Sequence, residues 1–187
     1  MKTQVKLSDY AIGILYAYGY LNKKNNRIYV VCYDKHFPEI LSKETGYALF
    51  HTAQNKVGVR SYAVAIGNMS GIPPISDVKN YADFCRGYIE CHNCLSLMHC
   101  HNKKTGRKFL ELKLEIYGKI ENLELIMNHL PATPKKILAQ KSSSSGNTFY
   151  SLRYKSKSEI ADILNWIDGT PRNEAVWKKW RDTLNQI

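Results

Sequence analysis

One short pattern occurs twice in this chain, and any fold proposed for it must accommodate both copies. The first copy reads Ala11-Ile12-Gly13-Ile14-Leu15-Tyr16-Ala17-Tyr18-Gly19-Tyr20-Leu21. The second reads Cys85-Arg86-Gly87-Tyr88-Ile89-Glu90-Cys91-His92-Asn93-Cys94-Leu95. Setting Gly13 on Gly87 brings Tyr16 to Glu90, Ala17 to Cys91, Tyr18 to His92 and Gly19 to Asn93. Each copy is followed by a basic hairpin pattern, a helical pattern and a second hairpin pattern.

Local signals place the elements. Ser8 is a cap for a helix from Asp9, with Ala11, Ile12, Ile14 and Leu15 at helical spacings and Gly19 as its stop. A hairpin follows: Tyr20 to Lys23, a turn at Lys24-Asn25-Asn26, then Arg27 to Tyr33. Ile28, Val30 and Cys32 share one face of the returning strand, and Arg27, Tyr29 and Val31 the other. Asp34 caps the next helix, which tolerates Pro38 in its first turn and ends at Gly46. A second hairpin runs from Tyr47 to Ile66, turning at Asn55-Lys56. Residues 67–77, rich in Gly, Pro and Ser, read as a linker. The second half repeats the order: helix 80–92, strands 94–101 and 107–116, helix 119–130, strands 135–141 and 148–155, helix 156–167, and a last helix from Pro171. In 108–115 leucines alternate with charges, which predicts a strand with Leu110, Leu112 and Leu114 inward.

The paired pattern resembles the LAGLIDADG family of homing endonucleases and maturases. The first copy, Ile12 to Gly19, keeps the glycines and the apolar face; the second, Arg86 to Asn93, keeps one glycine and one acid. The lead-in Ile75 to Phe84 and the late strand Thr148 to Tyr154 extend the resemblance over most of the chain. It implies an α+β fold: two LAGLIDADG-like αββαββα repeats related by pseudo-two-fold symmetry, with antiparallel sheets forming a DNA-binding saddle. Residues 1–70 are then the first repeat, 71–78 the linker, and 79–187 the second repeat with a C-terminal helix. Gly13 and Gly87 should meet where the two motif helices cross.

The family's metal chemistry is not matched. Its metal-binding acids close each motif, and those positions here hold Tyr18 and His92. Magnesium takes hard oxygen ligands. A phenol is neutral at pH 7, and imidazole suits zinc or copper better. Glu90, where the family often has Asp, cannot replace both. The expectation is therefore a scaffold that is not an enzyme and needs no cofactor, with Mg²⁺ relevant only if a nuclease survives.

Charge points to a polyanionic partner. The net charge is +11. Residues 1–78 carry nine Lys/Arg against five acids, and residues 79–187 carry eighteen against eleven. Residues 131–157 hold six cations and no acid. A polyanion fits such a distribution, although a basic balance alone also serves solubility. Antiparallel sheets leave one face open, and the candidate readers on it are Arg27, Tyr29, Arg60, His99, His101, Lys113, Ser151, Arg153 and Lys155. Lys24, Lys103, Lys104, Arg107 and Lys108 sit at turns, where phosphate contact is expected. Lys135, Lys136 and Lys141 add to the acid-free stretch. Glu111 and Glu115 share the face of Lys113 and oppose continuous groove contact.

Plainer explanations cover other clusters. Cys91, His92, Cys94, His99, Cys100 and His101 are zinc-ligand types, but along one strand His101 lies roughly 20 Å from Cys94. A Glu90–His92 acid–base pair competes with a histidine simply packed at a helix end. Tyr88, Tyr117, Tyr150 and Tyr154 read as core aromatics, whereas Tyr29 or Tyr33 can stack on bases. Trp177 and Trp180 among Lys178, Lys179 and Arg181 read as an amphipathic helix docking its tryptophans.

The leading reading is a sequence-specific double-stranded DNA-binding protein, a transcriptional regulator in the manner of WhiA, monomeric with internal symmetry. The alternatives are an endonuclease or nickase using Glu90 and His92, an RNA-binding maturase-like protein, and an inhibitor binding another protein through its basic face. No run of 18 apolar residues exists, so no membrane span is expected. The start, Met1 to Lys6, lacks a signal-peptide core. Five unevenly spaced cysteines suit a reducing cytoplasm.

Overall fold

The computed structural model describes residues 6–54, 58–67, 69, 71–141 and 148–187; of Lys141 only the backbone is described. The expected turn at Asn55-Lys56, the serine-rich tip 142–147 and the first five residues lie outside this set. The protein is α+β, with two four-stranded antiparallel sheets and six α-helices. It divides into two compact units, one ending at Cys91 and one beginning at His92.

The first unit opens with α1 (Asp9–Tyr18). The Ala11 N–H donates to Ser8 Oγ at 3.2 Å, which supplies the cap the sequence predicts. Strands β1 (Tyr20–Asn22) and β2 (Arg27–Cys32) form the first hairpin. In α2 (His36–Thr45), Asp34 Oδ1 accepts the His36 N–H at 2.9 Å, and Gly46 closes the helix with a left-handed φ of 72°. Strands β3 (Leu49–His51) and β4 (Tyr62–Ile66) are shorter than the hairpin the sequence suggests. The sheet order is β1-β2-β4-β3. Its inner face, with Ile28, Val30, Val64 and Ile66, packs with Ile14 and Leu15 of α1 and Phe37 and Leu41 of α2.

Helix α3 (Tyr81–Cys91) completes this unit by crossing α1. The crossing is reciprocal. A Cβ on Gly13 would lie 2.1 Å from the Phe84 carbonyl oxygen and 2.9 Å from the Tyr88 nitrogen. One on Gly87 would lie 2.1 Å from the Tyr10 carbonyl oxygen and 3.3 Å from the Ile14 nitrogen. The shift that carries Gly13 onto Gly87 also carries Tyr10 onto Phe84 and Ile14 onto Tyr88, so the repeat in sequence becomes a two-fold exchange of contacts. Only glycine lets two helix backbones approach this closely.

The second unit repeats the strand plan. Strands β5 (Asn93–His101) and β6 (Lys108–Gly118) pair along their length, α4 (Ile120–His129) follows, and β7 (Leu138–Lys141) and β8 (Thr148–Tyr154) complete a sheet of order β5-β6-β8-β7. Helices α5 (Lys157–Trp166) and α6 (Glu174–Leu184) end the chain. Leu112, Leu114, Ile116 and Leu152 are buried with α4 and α5 side chains such as Leu123, Ile126, Ile160 and Ile163. Leu110 faces the same way but is 44% exposed, because the hairpin runs past the helices that would cover it. Trp177 and Trp180 are buried, and the Trp180 indole N–H donates to Asn93 Oδ1 at 2.9 Å, so α6 docks by its tryptophans. Among the described residues no helix is long and apolar enough to cross a membrane.

Candidate nucleic-acid interface

Strand register decides which side chains each sheet leaves uncovered. In the second sheet Cys94 pairs with Glu115, Ser96 with Lys113, Met98 with Glu111, and Glu115 in turn with Arg153. These residues share the face away from the helices, together with Ser151 and Tyr117. His99 pairs with Leu110 and His101 with Lys108, so both histidines lie on the opposite, helix-side face. The sequence expectation placed them among the readers. The strand starts one residue earlier than expected, but parity is what matters: odd positions of β5 run with the buried Leu95. The same alternation separates Cys94 and Cys100 from His99 and His101. Among the described residues no three His, Cys, Asp or Glu side chains converge on a metal-sized site.

The uncovered face of this sheet is organised around Glu115. Its carboxylate is only 4% exposed. Lys113 Nζ reaches it at 2.6 Å, Arg153 Nε and Nη2 at 2.8 and 2.6 Å, and the Tyr117 hydroxyl donates to it at 3.1 Å. Gln140 Nε2 donates to Ser151 Oγ at 2.6 Å, which accounts for that buried hydroxyl. Lys155 pairs with Glu111 at 2.7 Å. Lys113, Arg153 and Lys155 are thus on the open side as expected, but each is tied to a carboxylate. Lys135 is tied as well, to Glu159 at 2.8 Å, while Lys136 is exposed.

Burial alone would raise the Glu115 pKa, yet the bonds from Lys113, Arg153 and Tyr117 outweigh it and hold it at about 2. A depressed carboxyl adds stability above its ordinary value of 4.5, and that stability is lost as pH falls from there toward about 2. Replacing Glu115 with Gln should therefore cost on the order of 2 kcal/mol at pH 7, after allowance for solvent screening. The gap to the parent should close between about pH 4.5 and pH 2. Urea melts across that range measure it, and a gap independent of pH would show that charge is not what Glu115 contributes.

Unpaired positive charge sits at the end of the β5–β6 hairpin. Lys103, Lys104, Arg107 and Lys108 are exposed, and among the described residues none has a carboxylate within 4.0 Å. The first sheet has a similar but smaller cluster, with Lys24 in the β1–β2 turn and Arg27 at its foot. Arg60 is exposed in the connection before β4 rather than on a strand. Tyr29 lies on the open face, paired with Tyr20.

The ends of the motif helices carry no carboxylate pair. The Tyr18 hydroxyl donates to the Cys91 carbonyl at 2.8 Å, and burial pushes its pKa far up. His92 leads into β5, its carbonyl accepting the Tyr117 N–H at 2.9 Å. Glu90 is buried within the first unit, where the Tyr10 hydroxyl donates to it at 2.6 Å. With that proton committed, Tyr10 accepts from His36 Nε2 at 3.0 Å. Arg86, wholly buried, pairs with Asp83 at 2.6 Å and lies over the Tyr10 ring at 5.4 Å. A neutral phenol, an imidazole and a carboxylate engaged in the helix crossing do not fit the hard-oxygen shell of Mg²⁺.

No family model and no curated protein matches the chain. Solved structures do. The LAGLIDADG meganuclease I-AabMI bound to uncleaved DNA superposes with a TM-score of 0.61 at 8% identity, over 96% of this chain and 90% of that one. I-SmaMI bound to its uncleaved DNA target with calcium ions gives 0.58 at 11%, over 95% and 90%. Full-length DUF199/WhiA from Thermatoga maritima gives 0.58 at 13%, over 99% of this chain and 63% of that one. The fold is the duplicated LAGLIDADG fold.

Proposed function

We propose that the protein binds double-stranded DNA sequence-specifically on a homing-endonuclease-like scaffold, does not cleave it, and acts as a transcriptional regulator. The observation that carries this reading is an exposed basic hairpin tip in a chain whose motif patterns close on Tyr18 and His92 rather than on carboxylates. Exposed cations at a two-stranded tip suit phosphates and the roughly 12 Å major groove. Tyr18 and His92 stand where the family's acids would be, and Glu90 is committed to Tyr10. The DNA seen with the meganuclease neighbours supports the choice of partner.

Supercoiled plasmid incubated with purified protein in Mg²⁺ or Mn²⁺ should remain uncut. Specific nicking that Glu90→Gln abolishes would replace the reading with a nuclease. Selection from a random duplex library should return a defined sequence, and failure to enrich any would remove the regulator.

A further inference from the structure

The two sheets differ in chemistry. The second carries salt-linked carboxylates on its open face. The first has no acidic residue in any of its four strands, and no acid occurs in residues 10–33 or 45–76. Its open face is aromatic and apolar. Tyr20 is 52% exposed and Phe50 41%. Tyr20 and Tyr29, cross-strand partners, stack with ring centroids 5.5 Å apart and planes 18° from parallel. Asn25 Nδ2 donates to the Tyr29 hydroxyl at 2.8 Å, which fixes the ring. Val31, Ala63 and Ala65 occupy the same face on β2 and β4, and Phe50 faces Ala63 from β3. Among the described residues of the four strands, Asn22 and Arg27 are therefore the only ones on this face with the amide or guanidinium groups that read base edges in a groove, and the Asn25 amide in the turn is engaged with Tyr29. What the face offers is flat rings, with Lys23, Lys24 and Arg27 exposed at the β1–β2 turn end and Arg60 exposed just before β4, toward the opposite end.

We propose that this face receives the unpaired bases of a single-stranded nucleic-acid segment, stacked on the Tyr20–Tyr29 pair and on Phe50. Every base has a π-face, so stacking needs no groove and no edge reading. The lack of carboxylates lets phosphates pass close by, and the four cations meet them. An exposed aromatic patch marks an interaction surface, and the charge around this one selects a polyanion over an ordinary protein partner. The proposal rests on the nucleic-acid-binding reading above and adds a strand form that duplex recognition does not use. DNA and RNA strands share the stacking chemistry; the 2′-hydroxyl separates them.

The test is fluorescence anisotropy of the full chain with three labelled probes of one mixed sequence: single-stranded DNA, single-stranded RNA and blunt duplex DNA. The parent should bind at least one single strand, and the tighter of the two names the source. Tyr20→Ala with Tyr29→Ala should weaken that binding about 5- to 150-fold for each stack lost and weaken duplex binding by much less. Tyr29→Phe, which keeps the ring, should bind as the parent does, and circular dichroism should show all variants folded. Phe50→Ala is an independent second variant. Single-strand affinity unaffected by these alanines overturns the proposal, as does an equal loss on duplex, which would make the face a groove reader. A parent that binds duplex but no single strand overturns this inference alone, whereas one that binds neither removes the DNA-binding reading as well.

Discussion

Gly87→Ala should cost at least about 3 kcal/mol of stability, a large part of the roughly 5–15 kcal/mol expected of a protein this size. In an exposed helix the same change would gain about 1 kcal/mol, because alanine is the better helix former. The sign therefore tests the crossing itself. The new methyl would start 2.1 Å from the Tyr10 carbonyl oxygen, a backbone atom that cannot rotate away. Helices α1 and α3 must separate, and the buried Tyr10–Glu90 bond and the Arg86 contact with the Tyr10 ring loosen with them. Gly13→Ala should behave alike, since its Cβ meets the Phe84 carbonyl at the same distance. The two changes together should cost less than their sum, because either one opens the same contact. Gly71→Ala is the control: a Cβ there meets nothing within 4 Å. Urea melts of the three variants decide the matter. A Gly87→Ala protein as stable as the parent would mean that the repeat does not mark a packed crossing.

The crossing was legible because close approach leaves a mark on residue type. A helix interior tolerates glycine at a cost, so two glycines in register imply a gain that offsets it. Caps, strand parity near the core and the tryptophan-docked last helix were legible for the same reason: each leaves a local signature. Long-range pairing leaves none. Residues 131–157 contain no acid, which suggested that Arg153 and Lys155 face a ligand freely. Their partners Glu115 and Glu111 are on β6, far away in sequence and adjacent in the sheet. Buried Glu115 and the Gln140–Ser151 bond on the same face could not be seen from spacing alone. Parity also misled at His99 and His101, where no buried residue beyond Leu95 anchors the alternation. The aromatic face of the first sheet was partly visible at Tyr29, but Tyr20 and Phe50 join it only through strand register.

This distinction between tied and free cations ranks the binding residues. Replacing Lys103, Lys104, Arg107 and Lys108 with glutamine should make duplex binding far less salt-sensitive. Each phosphate contact contributes about 0.9 to the slope of log K against log salt, so four lost contacts flatten it by up to about 3.6. Between about 50 and 200 mM salt the parent should then lose roughly 150-fold more affinity than the variant. Neutralising Arg153 and Lys155 should flatten the slope by less than about 0.9, because those cations already neutralise Glu115 and Glu111 rather than phosphates. That double variant should instead lose stability, as Glu115 is left buried with fewer donors. Affinities of parent, quadruple and double variants at two salt concentrations test the ranking. A double variant that flattens the slope as much as the quadruple one would mean that the salt links open on binding and that this face, not the hairpin tip, carries the phosphates. A quadruple variant with the parent's slope would take the hairpin out of the interface altogether.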